Sequence, residues 1–347
     1  MHTMMHTSIR CLLPVIAHVL IAEEPKVVSA GHSSLPTETI DMLALSAARG
    51  WTTTIAPGVE MPWVSLGTCC GSDPGVGVTP WLAASTSTFS QPVAGIDTAF
   101  DYNDQGVIAA RLAAGPTPRA SVFLTTKIPG AAFLNGDPKI VCPSRDFRAC
   151  ALKAVKTDLA QLKMDSADLV LIHDPGLANG TAISAALWQG MQDALKLGLT
   201  RSIGVSNFNS TQLDELVAQR TTTVVPAVNQ ISMGVGGARP EATLAACARH
   251  NVTAQAYWAL KDCPYDDPAL VAVAAAHGPT ATTAMVCVAW VLGRGVLVAA
   301  GTGADASTVA AYSREDLGAT TLVLTEDEMA RVGRAGERAA AARFVAA

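Results

Sequence analysis

The chain has 347 residues, half of them hydrophobic and only 15% charged, with a formal net charge of −5. That length holds one large domain with a sizeable core. The lack of a basic excess excludes an electrostatic nucleic-acid footprint, and the scarcity of charge excludes a disordered acidic chain. Small molecules are the partners these figures leave.

The first thirty residues differ from the rest. Arg10 precedes the apolar run "CLLPVIAHVLIA", Cys11 to Ala22, and small residues follow in "VSAG", Val28 to Gly31. This is the layout of a secretory signal or the front of a bipartite transit sequence, with an ordinary N-terminal helix as the alternative. The run is too short to span a bilayer comfortably, and no other segment reads as membrane-spanning. Residues 1–50 are therefore taken as an N-terminal extension, 52–338 as the catalytic domain and 339–347 as a C-terminal tail. The eight cysteines, at 11, 69, 70, 142, 150, 247, 263 and 287, form no C-x-x-C pair and do not cluster with the seven histidines. That pattern reads as free thiols, mostly core, in a reducing compartment. The adjacent Cys69 and Cys70 read as two small residues at a strand end, or else as a redox-active pair.

From about residue 52, short β-branched runs alternate with alanine-rich amphipathic stretches, the rhythm of a parallel sheet with crossover helices. The expected strands are "WVSLGT" (63–68), "GIDTA" (95–99), "SVFLTTK" (121–127), "DLVLIH" (168–173), "RSIGVS" (201–206), "AVNQI" (227–231), "TAQAYW" (253–258) and "GVLVAAG" (295–301). Eight such units favour closure into an α/β (β/α)8 TIM barrel over a doubly wound open sheet. Between them, "SRDFRACALKAVKTDLAQLKM" reads as a helix capped by Ser144, and "ISAALWQGMQDALKLG" as one closed by Gly198. "ASTSTFSQP" (84–92) and the long stretch 128–144 read as loops, the second a lid or ordered insertion.

In such barrels chemistry sits beyond the carboxyl ends of the strands, so polar residues ending apolar runs are the candidates. Asp97 ends the second run with Tyr102 in the loop after it; Lys127 ends the third and His173 the fourth. Ser206 and Asn207 follow the fifth, Asn229 and Gln230 lie in the sixth, and Tyr257 closes the seventh. An ammonium within hydrogen-bonding reach acidifies a phenol, and a carboxylate behind the lysine fixes its place. Tyr102, Lys127 and Asp97 would form such a relay, protonating a developing alkoxide while His173 orients the carbonyl. Ser206, Asn207 and Gln230 offer partners for a carboxamide, and Tyr257 an aromatic face. Trp188 and Trp258 read as core or rim residues, and Asp266 and Asp267 as a helix start. Asp101 and Asp104 read as solvent-facing or capping. No metal-ligand spacing is present. A rival reading makes Lys127 a Schiff-base nucleophile on a phosphorylated substrate held at "GTGADAS".

In this order "GIDTAFDYND", "FLTTK", "DLVLIHDP", "RSIGVSNFN", "VNQ" and "QAYWAL" resemble the aldo-keto reductase family over roughly residues 52–338. The resemblance implies a monomeric barrel reducing a small-molecule aldehyde or ketone with NADPH, NADH being the other option. It implies Tyr102 as general acid, Asp97 and Lys127 as its tuning pair and His173 as its orienting partner. Ser206, Asn207 and Gln230 would bind the carboxamide and Tyr257 would stack on the nicotinamide. Leu260, Gly301, Thr302, Gly303 and Ser307 would complete the dinucleotide site. It also implies a cytoplasmic protein, unless the N-terminal segment directs it elsewhere. Two features depart from the family's pattern. Gly301 and Ser307 stand where a lysine and an arginine usually clamp a 2′-phosphate, with Arg314 as the cation that could reach back. Cys69 stands where an aromatic commonly walls the substrate pocket. Some barrels of the same superfamily bind nucleotide as regulatory subunits with little turnover, the alternative function here.

Overall fold

A strand turns alternate side chains to opposite faces, so a run buried throughout must be covered on both. The expected runs behave in this way. The computed structural model describes residues 51–130, 142, 145–175 and 180–346. The N-terminal extension, Ser144 and most of the 128–144 stretch lie outside the described residues.

The chain opens with an antiparallel hairpin, β1 (Thr52–Ala56) and β2 (Val59–Pro62), turning at Gly58 with φ +70°. The barrel strands follow: β3 (Val64–Gly67), β4 (Ala94–Asp97), β5 (Val122–Ile128), β6 (Ala167–Ile172), β7 (Thr200–Ser206), β8 (Val228–Ser232), β9 (Thr253–Tyr257) and β10 (Leu297–Ala300). Each pairs in parallel with the next, and β10 closes on β3. The (β/α)8 expectation holds. Helices α1 (Pro74–Ala83), α2 (Gln105–Ala114), α3 (Phe147–Leu162), α4 (Gly180–Lys196), α5 (Ser210–Ala218), α6 (Glu241–Arg249), α7 (Pro268–Ala276), α8 (Thr283–Gly293), α9 (Val309–Gly318) and α10 (Glu326–Ala346) surround it.

Strand β5 shows how the residues partition. Leu124 and Ile128 join the large core between strands and helices, whereas Phe123 packs in a second cluster with Leu169, Leu171, Val228 and Leu297 from other strands. Ile55, Val59 and Met61 of the hairpin belong to that second cluster, so β1 and β2 plug the amino-terminal end of the barrel. Arg201 secures the plug by donating to the Gly58 carbonyl at 2.8 Å while bonding Asp168 at 2.8 Å. Asp168 also accepts from Arg119 at 2.8 Å and from the Leu124 amide at 2.9 Å.

Four local expectations change. Helix α3 is capped by Asp146, whose carboxylate accepts from the Ala149 amide at 3.1 Å; an acid at this position meets the exposed N–H groups and the positive end of the dipole together. "ASTSTFSQP" begins as a π-helical turn, Ala84–Thr88, continuing α1. Helix α10 runs on through most of the stretch expected as a tail. The cysteines expected to be free are largely paired: Cys69 with Cys70, Cys142 with Cys150 and Cys263 with Cys287. Folding brings together partners that linear spacing does not flag, and among the described residues Cys247 alone stays a buried thiol. As expected, Gly198 closes α4 with φ +72°, Trp188 is buried and Asp267 caps α7.

Candidate active site

Asp97 on β4, Lys127 on β5, Ser206 on β7, Gln230 on β8, and Gln255 and Tyr257 two positions apart on β9 are the polar residues the barrel strands bring to the site. Lys127 is fully buried. Its ammonium donates to Asp97 Oδ1 at 2.5 Å, to the Thr98 carbonyl at 2.9 Å and to the Tyr102 hydroxyl at 3.4 Å. Three hydrogens thus have three acceptors. The other Asp97 oxygen accepts from Gln230 Nε2 at 2.7 Å, and Gln230 also donates to Gln255 Oε1 at 2.7 Å. Burial pulls the Lys127 pKa down, but the Asp97 carboxylate and Tyr102, with their hydrogen bonds, more than offset it, so the ammonium is stabilised overall.

Tyr102 ends a 3-10 turn, Phe100–Tyr102, directly after β4, and Asn103 at φ +57° breaks that turn. The sequence suggested a phenol made more acidic by Lys127. The structure reverses the net direction: burial raises the pKa, and Lys127 only partly counteracts it. The hydroxyl therefore keeps its proton at neutral pH.

His173 follows β6, its ring 5.6 Å from that of Tyr102 and 74° to it. Asp101 is exposed, as expected, with its Oδ2 3.1 Å from His173 Nδ1. Asp104, by contrast, is no surface residue. It is buried, accepts from Thr98 Oγ1 at 2.6 Å, makes no side-chain cap to α2, and burial pushes its carboxyl up. Nothing local marked the contact of Asp101 with His173, which lies 72 positions further on. Gln255 was legible in principle, two residues before Tyr257 in an alternating run.

The residues expected to hold a cofactor fall into two groups. Ser206 donates to the Gln230 carbonyl at 2.9 Å, and Asn207, at φ +63°, donates to the His173 carbonyl at 2.9 Å. Asn207 Oδ1 accepts from Tyr257 at 2.7 Å. These residues stand together beside the relay. Asn229 does not, because its amide turns to the Phe208 carbonyl and the Cys247 sulfur at 2.9 and 3.7 Å. The second group lies beyond β10. Gly303 takes φ +77° and its carbonyl accepts from the Asp73 amide at 3.3 Å. Thr302 is fully buried with its hydroxyl unpartnered. Ser307 is bound within its own loop, its amide and hydroxyl donating to Asp305 at 2.8 and 2.7 Å, and α9 starts only at Val309. No lysine or arginine occurs from 301 to 311. Leu260 packs against the core and its carbonyl accepts from Tyr265. Trp258 is rim-exposed, with the Lys261 ammonium 3.8 Å over its ring. Cys69 lies just past β3, where Thr68 N donates to the Asp97 carbonyl at 3.0 Å, and is bonded to Cys70. Among the described residues, no three His, Cys, Asp or Glu groups gather to hold a metal.

A family model described as "Aldo/keto reductase family" matches residues 89–263. The chain belongs to the aldo/keto reductase family. That family consists of oxidoreductases using nicotinamide cofactors. An aldo-keto reductase of Mycolicibacterium vanbaalenii is 34% identical over 228 residues, covering 65% of this chain and 75% of that protein. Against another, from Mycobacterium ulcerans, the identity is 35% over 54% of this chain and 60% of the relative's length. A 2,5-diketo-D-gluconic acid reductase B of Corynebacterium is 33% identical over 45% of this chain and 49% of its own. Among solved structures, an aldo/keto reductase of Brucella melitensis superposes with a TM-score of 0.67 at 24% identity, over 82% of this chain and 97% of that one. A Bombyx mori aldo-keto reductase in complex with NADP gives 0.67 at 25%, over 82% and 92%. No described helix of this aldo/keto reductase is long and apolar enough to cross a membrane.

Proposed function

We propose that this aldo/keto reductase reduces an aldehyde or ketone to an alcohol with NADPH or NADH, Tyr102 donating the proton. The observation that carries the reading is the fully buried Lys127 ammonium between Asp97 Oδ1, at 2.5 Å, and the Tyr102 hydroxyl, at 3.4 Å. Bound at the mouth, the reduced nicotinamide supplies the hydride. Tyr102 keeps its proton until negative charge develops on the substrate oxygen, and the ammonium then stabilises the phenolate left behind. Asp97 and Gln230 hold Lys127 in place, and His173 orients the substrate. Ser206 and Asn207 suit a carboxamide, Tyr257 an aromatic ring, and the unpartnered Thr302 hydroxyl near Gly303 a phosphate. A Schiff-base role for Lys127 is disfavoured, because an ammonium whose hydrogens are all engaged has no lone pair to attack with.

The barrel would act as a monomer on a small neutral or polar carbonyl compound. Three disulfides favour an oxidising compartment over the cytoplasm. The second reading, a nucleotide-binding regulatory barrel, is favoured by the absence of cations from 301 to 311. Titrating the full chain with NADPH and NADH by tryptophan fluorescence, then following cofactor oxidation with a broad aldehyde panel, separates the two. Saturation with oxidation is expected; saturation without it with every aldehyde favours the regulatory reading.

A further inference from the structure

Of the three bridges among the described residues, Cys69–Cys70 does the least for the fold. A disulfide stabilises mainly through the loop it closes in the unfolded chain, and the gain grows with the length of that loop. Cys142–Cys150 and Cys263–Cys287 span 8 and 24 positions, whereas Cys69 and Cys70 are neighbours and close almost no loop. The bridges differ in reach as well: Cys70 is exposed and Cys69 partly so, while all four cysteines of the other two are buried. Thiol–disulfide exchange requires an attacking thiolate to reach a sulfur, so the adjacent pair opens first.

The pair sits where loops of the mouth meet. Thr68, just before it, is tied to β4 through its amide at the Asp97 carbonyl, 3.0 Å, and the Ser72 amide closes the turn on the Cys69 carbonyl at 3.2 Å. The Asp73 amide donates to the Gly303 carbonyl at 3.3 Å, and the Ser72 hydroxyl lies so near Gly301 that a Cβ there would stand 2.8 Å from it. The Thr302 hydroxyl in turn lies 3.3 Å from where a Cβ on Gly77 of α1 would be. Residues 68–73 thus back the 301–303 loop. Cys70 itself takes φ +61°, a left-handed conformation costly for a residue with a Cβ, and its bond to Cys69 limits its freedom to leave it.

We propose that Cys69–Cys70 is a thiol–disulfide exchange site for small dithiol reductants, and that its state sets how tightly the 301–303 loop grips a dinucleotide phosphate. The second clause rests on the reading of that loop as part of the cofactor site. A thiolate of the dithiol attacks the Cys70 sulfur, the Cys69–Cys70 bond breaks, and Cys69 leaves as a thiolate that takes up a proton. The second thiol then displaces Cys70 from the mixed disulfide. Two electrons and two protons have passed to the pair, and the reductant ends as its own cyclic disulfide. Once the bridge is open, Cys70 is free to leave its left-handed conformation, and Ser72 and Asp73 lose their fixed backing. With no cation from 301 to 311, the grip depends on ordered backbone amides and the Thr302 hydroxyl. Restoring that order at each binding event weakens affinity by about fivefold or more.

The test exposes full-length protein, purified without reductant, to graded dithiothreitol, blocks thiols with iodoacetamide and maps the labelled cysteines by peptide mass spectrometry. Cys69 and Cys70 are expected to be labelled at concentrations that leave the 142–150 and 263–287 bridges intact. In that state the Kd for NADPH and NADH, read by quenching of tryptophan fluorescence, is expected to rise about fivefold or more and to return on reoxidation with glutathione disulfide. The double variant Cys69→Ser, Cys70→Ser is expected to bind as the reduced parent does and to ignore dithiothreitol. Free thiols at 69 and 70 before any reductant is added, or opening of all three bridges together, overturn the exchange site. Tight cofactor binding that ignores the state of the pair overturns its coupling to the loop. Failure of both cofactors to quench in either state overturns the cofactor-site reading itself, and that coupling with it.

Discussion

Asp158 shows how far burial can displace a single group. It lies on α3, with no exposure, and accepts a hydrogen bond from Thr126 Oγ1 at 2.5 Å. Burial raises its pKa from 3.8 to about 7, with hydrogen bonds from Thr126 and Gln105 only partly opposing. The folded protein therefore holds this proton more tightly than the unfolded chain. Its contribution is intact below about pH 4 and is lost as the pH climbs through about 7. Asp158→Asn should flatten this dependence and stabilise the protein at pH 8 by roughly 2–4 kcal/mol. Urea midpoints at pH 5 and pH 8 check it; equal pH dependence in both proteins contradicts it. The candidate relay at this scale was readable, because Asp97, Lys127 and His173 end apolar runs and Tyr102 follows one. What the letters could not give was the balance of burial against charge, which reverses the expected direction at Tyr102, nor the contact of Asp101 with His173.

At the scale of elements, all eight barrel strands were readable because each is a short run buried on both faces and bounded by turn residues. The hairpin was not. Its strands have five and four residues, and nothing in "TTTIAPGVEMP" shows that Ile55, Val59 and Met61 close the bottom of a barrel built later in the chain. The Cys263–Cys287 disulfide was misread for the same reason: the two lie 24 positions apart, and the loop after β9 and helix α8 must both form before their Cα atoms stand 6.3 Å from each other. Replacing both with serine should lower stability by about 2–4 kcal/mol, measured as a shift in the urea midpoint. Parent protein treated with a strong reductant should move in the same direction, whereas no shift in either case shows that the bridge is not formed in solution.

For the whole molecule, a closed barrel with one plugged end leaves the other for chemistry, and the relay, the imidazole and the amide cluster gather there. The loop beyond β10 has a buried threonine hydroxyl and positive-φ Gly303 but no cation from 301 to 311. That lack was visible in the sequence because it is an absence of residue types. Cofactor grip and proton donation are thus separable properties of the mouth, and one variant tells them apart. Tyr102→Phe removes the hydroxyl and leaves the ring, the Lys127–Asp97 pair and every proposed cofactor ligand in place. Measured with the aldehyde that the parent reduces best, it should lose about 10²–10⁴ in kcat while cofactor still quenches tryptophan fluorescence with affinity changed by less than about threefold; full residual turnover would contradict Tyr102 as the proton donor.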